Sequence, residues 1–397
     1  MDAYSHFLEL YHTEPDGVSF CPYRVCPVGA HVDHQHGAVT GFAIDKGIRL
    51  AYRAKHNGVI ELNSLNFKKR AQFYTRGVPE TREGDWADYL RGATLLLNQR
   101  YPLEMGLAGV IEGSLPIGGL SSSAAVTLSF LQALCRVNKL HLSAKELISL
   151  AQMAENRYVG VSCGTLDQSC EVYCRRDHLL YLDTVDGSYE LLPKPAVMPP
   201  FRIAVFFSGV ERTLAGSKFN MRVDECRSAA YALKAYAGMD YGKFGETHLR
   251  EVPREVFEQY GYRLPENFRR RAAHWYDEQD RVARAAEAWR HGDLEAFGRL
   301  SFESGRSSIE QWETGSPELK RIYEIMTQTD GIYGGRFSGA GFKGCCMALI
   351  NPNAAEDITA KVTQDYLASF PEMEGRFSVH ICDTASGLNE MGEGDSK

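Results

Sequence analysis

The 397-residue chain has no apolar run near the roughly 18 to 20 residues that a bilayer-spanning helix needs. It opens Met1-Asp2-Ala3-Tyr4-Ser5-His6, without the basic-then-apolar pattern of a secretory leader, so a cytoplasmic protein is expected. Basic charge is not in excess either. With 44 Lys and Arg against 51 Asp and Glu, the net charge is −7, which argues against the broad positive footprint of a nucleic-acid binder. An anionic ligand must therefore meet positive charge gathered locally. The ten cysteines form no recognisable zinc knuckle, because Cys170 and Cys174 are separated by three residues and no second pair stands nearby. Cys135, Cys345 and Cys346 sit in apolar runs, where a reduced thiol serves as a small buried hydrophobe. What remains is an ordinary soluble composition, 44% hydrophobic and 24% charged, in a chain long enough for two or three domains.

The first half alternates strand and helix signals. Ile48 to Ala54, Val59 to Leu65 and His178 to Thr184 read as strands, while Trp86 to Leu97 and Ala124 to Asn138 read as helices. Ser143-Ala144-Lys145-Glu146 is a capping box opening a further helix. Four prolines between Pro193 and Pro200 mark a connector, which divides the chain into domains at residues 1–195 and 196–397. The second half opens with a strand at Phe201 to Phe207, holds a long helix over Arg269 to Arg290, and closes with strands at Cys345 to Ile350 and Phe377 to Cys382. From Ser386 onward, glycine and acidic residues predict a frayed tail. The expected class is α+β, with two domains around a cleft.

Four segments carry chemistry. Leu115-Pro116-Ile117-Gly118-Gly119-Leu120-Ser121-Ser122-Ser123-Ala124 places glycines and serines at a helix start, where backbone amides and the helix dipole favour an anion. A serine-rich N-cap without a ligand explains the same residues equally well. The loop is neither a Walker A loop nor a dinucleotide fingerprint. Glu155 continues the apolar stripe of Ile148 and Ala151, so it projects inward, where a carboxylate needs a cation or a metal. Asp167 follows the Cys163-Gly164 turn, which can present it into a cleft; one such carboxylate with a serine hydroxyl suits Mg²⁺. Gly334 to Gly341 holds four glycines in eight residues before a strand, which lets backbone approach a ligand or another loop. Finally, His31, Asp33, His34 and His36 invite a metal reading. Strand alternation would, however, put His31 and Asp33 on one face and His34 and His36 on the other. A polar sugar-binding edge, with Arg24 reaching in, accounts for them better.

Taken in order, these segments resemble the GHMP small-molecule kinase superfamily, and its galactokinases in particular. Arg24 to His34 is similar to the opening signature Arg-Val-Asn-Leu-Ile-Gly-Glu-His-Thr-Asp-Tyr, Pro116 to Ala125 to the Gly-Leu-Ser-Ser-Ser-Ala loop, and Gly335 to Cys345 to the third, glycine-rich motif. The resemblance implies a two-domain fold with its active site in the cleft between the domains, and transfer of the ATP γ-phosphoryl group to a sugar's anomeric hydroxyl. It implies Asp167 as base with Arg24 beside it, and Ser123 and Glu155 as holders of Mg²⁺. Pro116, Gly118, Gly119, Leu120, Ser121, Ser122, Ser123 and Ala124 would cradle the ATP phosphates, with Trp86 near the adenine. Ala30, His31, Asp33, His34, Gly164, Asp167, Phe219 and Arg222 would line the sugar. The partners implied are a sugar or sugar acid and ATP, with no nucleic acid or membrane, in a monomer or weak dimer.

Departures from the galactokinase pattern narrow the substrate. Cys26-Pro27-Val28 replaces Asn-Leu-Ile, and His34 replaces a tyrosine. Phe219 stands where a tyrosine contacts the sugar, and Ala30 where a glutamate hydrogen-bonds the 6-hydroxyl. The run Arg24 to Gln35 looks more like the galacturonokinase branch, which acts on D-galacturonate; galactose is the alternative substrate, and a non-catalytic sugar sensor the rival function. A glutamate about 4 Å from a C6 carboxylate would cost about 1 kcal/mol in water and roughly 4 kcal/mol at an effective dielectric of 20. Ala30 removes that repulsion. The cation expected opposite the carboxylate is one of Arg212, Lys218, Arg222 or the imidazole of His34.

Overall fold

Strand β1 (Gly17–Val25) runs antiparallel to β2 (Ala38–Lys55), whose 18 proline-free residues are enough to serve several partners. A bulge shifts their register between Pro22 and Arg24, where proline cannot donate to the ladder. Strands β3 (Val59–Ser64), β4 (Ala71–Tyr74) and β5 (Gly106–Gly113) extend the sheet, with β5 antiparallel to β2 and parallel to β3. Strand β6 (His178–Asp183) pairs with the first residues of β2 and forms a hairpin with β7 (Tyr189–Pro193). The structure is a computed structural model and describes residues 2–210 and 216–390.

A second, wholly antiparallel sheet has the order β11-β8-β10-β9. Its members are β8 (Arg202–Phe207), β9 (Ile332–Phe337), β10 (Cys345–Ile350) and β11 (Ser378–Cys382). Period-two alternation divides it between two cores. Ile203, Val205, Phe207, Cys345, Met347 and Leu349 join the large core of the molecule. Ala204, Phe206, Cys346, Ala348 and Ile350 pack under the Pro317–Thr327 and Ala355–Ser369 helices through Ile322, Ile325, Ile358 and Val362. The adjacent thiols of Cys345 and Cys346 therefore face opposite cores, and all ten cysteines are free.

Helix boundaries follow their chemical signals. Ser143 Oγ accepts from Glu146 N while the Glu146 carboxylate accepts from Ser143 N, completing the capping box of the Ala144–Met153 helix. Ser316 caps the Pro317–Thr327 helix, which carries Pro at its first position. Two expectations are corrected. The tail does not fray from Ser386 through Glu390: just after β12 (Thr384–Ala385) pairs with β2, β13 (Asn389–Glu390) pairs with β1, while residues 391–397 of that expectation lie outside the described residues. In addition, Gly387 N and Leu388 N donate to the carbonyls of Cys174 and Glu171. Backbone pairing there outweighs a composition that favours disorder. Residues 31–36 are not a strand either. Pro27 and Gly29 follow the end of β1, the backbone turns left-handed at Gly29, His31 and His36, and Asp33–Gln35 form a 3₁₀ turn. Among the described residues no helix is long and apolar enough to cross a membrane.

Candidate active site

Arg24 sits one residue from the end of β1, just past the bulge, and is almost wholly buried. Its Nε and an Nη each donate to Asp167 Oδ1 at 2.7 Å, and its other Nη donates to the Gly119 carbonyl at 2.9 Å. Burial opposes the Arg24 charge, but the Asp167 carboxylate outweighs it and raises the guanidinium pKa above its ordinary value. Asp167 lies in the first turn of the Leu166–Tyr173 helix, and its second oxygen accepts from Ser121 Oγ at 2.6 Å.

That last bond decides how the serine-rich loop is used. Ser121 occupies the N-cap position of the Ser122–Val137 helix with a left-handed backbone, φ 60°, and makes no side-chain cap bond. Its hydroxyl is turned to Asp167 instead of to the helix's first amides. A helix start not capped by its own serine suits an anion. Gly118 and Gly119 have φ values of 141° and 88°. A Cβ on Gly119 would lie 2.7 Å from Cys345 Sγ and 2.9 Å from the Ser338 carbonyl, and one on Gly339 would lie 2.9 Å from Gly119 Cα. The two glycine-rich segments therefore meet backbone to backbone, joined by Ser338 Oγ donating to the Gly119 carbonyl at 2.6 Å.

Behind the loop, Ser123 Oγ donates to Glu155 Oε2 at 3.2 Å, and Gln168 Nε2 donates to Glu155 Oε1 at 3.0 Å. Glu155 is buried on a π-helical turn, Ala154–Val159, that extends the preceding helix. A hydroxyl and a carboxylate in contact at a helix start suited to an anion fit Mg²⁺, which takes few protein ligands.

The segment after β1 supplies the opposite wall. Asp33 Oδ2 accepts from Leu166 N at 3.2 Å, and burial, with Asp167 next in effect, pushes its pKa up to about 6. A Cβ on Gly164 would lie 2.4 Å from Asp33 Oδ2, so that position admits no side chain without moving the carboxylate. His31 stacks on Trp312 with ring centroids 5.0 Å apart, and His34 lies 5.4 Å from Trp312 and edge-on to Phe219 at 5.8 Å. Burial, foremost, takes His34 down to about 3, so its ring is neutral at pH 7. The buried Ala30 contributes its carbonyl to His274 Nε2–H at 3.0 Å. A cavity of about 430 Å³ opens beside Asp33, His34 and Gly164, and Arg227, His36 and His248 also line it.

This segment is held from below by an ionic knot centred on the fully buried Glu278. Glu278 accepts from Gly29 N at 2.7 Å and from Arg281 Nε at 2.7 Å, lies 3.7 Å from Arg336, and accepts from Ser304 Oγ. Burial raises the Glu278 pKa, but Arg281, His274 and Arg336 prevail and hold it at about 2.

Arg24, Asp167, Ser121 and the Gly118–Gly119 turn are thus one cluster; Ser123 and Glu155 adjoin it, and Asp33, His34 and Gly164 border the cavity. Leu120 lies at the cluster too, its carbonyl accepting from Arg24 N at 3.3 Å, while Ser122 and Ala124 form the helix's first turn. Pro116 is exposed at the loop's edge. Trp86 stacks on Phe67 at 5.9 Å and donates its indole N–H to the Lys69 carbonyl. Arg222 is committed to Glu225 at 2.9 Å and to Glu313 at 3.8 Å. Lys218 is exposed, and Arg212 lies outside the described residues. Sequence reasoning missed Trp312, Arg227, Glu278 and Glu171. Glu171 is fully buried with neither oxygen hydrogen-bonded, and burial pushes its pKa well above the carboxylate range.

Profiles for the GHMP kinase N-terminal domain, the GHMP kinase C-terminal domain and the galactokinase galactose-binding signature match residues 88–175, 282–368 and 5–54. The chain belongs to the GHMP kinases, with the α+β, two-domain fold expected of them. Within that family its likeness runs to sugar kinases. A galacturonokinase of Arabidopsis thaliana is 36% identical, covering 94% of this chain and 93% of its own. A galactokinase of Roseiflexus sp. (strain RS-1) is 31% identical over 97% of this chain and 95% of its own. The crystal structure of Lactococcus lactis galactokinase complexed with galactose superposes with a TM-score of 0.88 at 27% identity, covering 98% of both chains.

Proposed function

We propose that the protein is an ATP-dependent sugar 1-kinase that converts D-galacturonate to its 1-phosphate, with ADP as the other product. One observation carries the kinase reading: Asp167 is held by Arg24 and Ser121 at the foot of a helix start left uncapped by its own serine. Phosphoryl transfer needs alignment and charge stabilisation more than covalent chemistry. Asp167 accepts the proton of the anomeric hydroxyl. Arg24 orients that carboxylate and stabilises negative charge developing on the transferred group. The amides from Gly118 to Ser123 hold the phosphates. Ser123 and Glu155 would hold Mg²⁺, which when bound neutralises charge on the phosphate oxygens. Asp33 and the Gly164 turn bind sugar hydroxyls, and His31, His34 and Phe219 wall the sugar. A sensor without catalysis is disfavoured, because the serine loop, Glu155 and Asp167 are all in place.

Ala30 selects the acid. Galactokinases carry glutamate there, and the similarity to a galacturonokinase points the same way. In an ADP-release assay, kcat/KM for galacturonate should exceed that for galactose and glucuronate, and Ala30→Glu should shift the ratio toward galactose by tenfold or more. A parent enzyme that phosphorylates galactose faster than galacturonate would remove the galacturonate reading and leave the kinase reading standing.

The Gly164 turn gives a second test. Gly164→Ala would press a methyl group into the Asp33 carboxylate. The KM for the sugar should rise about tenfold or more, with the KM for ATP changed much less. Equal effects on both substrates would exclude a sugar-side role for this turn.

A further inference from the structure

The cavity beside Asp33 carries an uneven set of charges. His34, His36 and His248 are among its lining residues with Arg227, and Asp33 is its one acidic member among the described residues. Burial, first, lowers the pKa of both His34 and His36. His248 lies stacked on His36 with ring centroids 3.7 Å apart and is engaged by Glu251 at 3.2 Å. The guanidinium of Arg227 remains as the fixed cation of this wall.

Its pairing within the protein is weak. Arg227 meets Asp224 at 3.5 Å, one turn back on the Gly216–Tyr236 helix, and Asp224 is itself largely exposed. Its Nε is buried without a hydrogen-bond partner. Among the described residues, Arg24 is held by Asp167, and Arg222 and Arg271 are each held by Glu225 and Glu313, although Arg222 Nε is also buried without a partner. Phe219, two turns before Arg227 on the same helix, packs edge-on against His34, and the Arg227 charge also acts on that imidazole. The arginine therefore stands beside His34 in the lining of this cavity, on the side of the segment that carries Ala30. A planar guanidinium with an unused donor fits a carboxylate better than a hydroxyl, because it offers two parallel N–H bonds.

We propose that Arg227 is the specificity-determining cation that receives the C6 carboxylate of the substrate, the attractive counterpart to the acid missing at Ala30. This rests on the galacturonate reading given above.

The test compares Arg227→Met, which keeps an apolar stem, with Arg227→Lys, which keeps the charge but not the fork. ADP release with galacturonate and galactose gives kcat and KM for each, calorimetry gives galacturonate affinity directly, and thermal melts monitor folding. In Arg227→Met the KM and Kd for galacturonate should rise about 100-fold, a KM effect far larger than any change in kcat. The galacturonate-to-galactose ratio of kcat/KM should fall by a similar factor, and Arg227→Lys should recover part of it. Unchanged galacturonate affinity, or equal losses on the two sugars, overturns the assignment of Arg227. Should the Met variant not fold, the Lys variant decides: a loss confined to the acid supports the role, and an equal loss on both sugars overturns it. A parent enzyme that prefers galactose overturns the galacturonate reading itself, and this role with it, before any variant is compared.

Discussion

Replacing Asp167 with asparagine should lower kcat about 1,000-fold, the loss that follows when a positioned general base is removed. Asparagine has the shape of aspartate and still offers one carbonyl oxygen to Arg24, but it cannot take up the proton of the attacking hydroxyl. The substitution also leaves Arg24 as a buried cation without its counter-charge. A full buried pair would cost several kcal/mol to break. Asp167 is a quarter exposed, so about 1–2 kcal/mol is the discounted expectation, and the variant should melt cooperatively at a somewhat lower temperature. Single-turnover measurements with saturating ATP separate chemistry from binding. Nucleotide affinity within a few-fold of the parent, together with a collapsed rate, is the expected pattern. Turnover within tenfold of the parent would take the proton-accepting role away from Asp167.

Glu278→Ala has the next largest expected effect, and it acts on stability. Glu278 is fully buried, and its removal leaves Arg281 and Arg336 without their shared counter-charge and Gly29 N without its acceptor. Breaking a buried ionic group in this way costs about 3–5 kcal/mol. In a chain of this length that corresponds to a fall in Tm of roughly 5 °C. Because Gly29 begins the turn that sets His31 and Asp33, the sugar KM should rise as well. Glu278→Gln, which keeps a carbonyl acceptor for Gly29 N, should recover part of the KM and little of the Tm. A Glu278→Ala protein that melts within 1 °C of its parent would show that the knot does not hold this segment.

The parts of this protein that could be read from the chain are those whose signals are local. The capping box at Ser143, the Ser316-Pro317 helix start and the strands at β8 and β10 follow from a few neighbouring residues, and they form where expected. Glu155 was legible because a buried helical stripe points its carboxylate inward at fixed spacing. Side-chain alternation predicts a strand at His31 to His36, whereas Pro27 and Gly29 act through backbone conformation, which alternation ignores. Trp312 and Glu278 reach the site across some 250 residues or more of sequence, and neither carries a neighbouring motif. Arg227 carries no neighbouring motif either. What sets it apart is a weak pairing, to Asp224 at 3.5 Å, with a buried Nε left over, and sequence does not display that.

The return of β12 and β13 to the first sheet bears on how the protein is made. A ribosome delivers β1 and β2 early, yet their remaining neighbours emerge only after the whole second sheet has been synthesised. Until then the nascent sheet keeps a bare edge that can attract other extended chains. Biogenesis of this enzyme therefore favours post-translational completion, and shielding of that edge by a chaperone would matter most in the interval before the two short strands arrive.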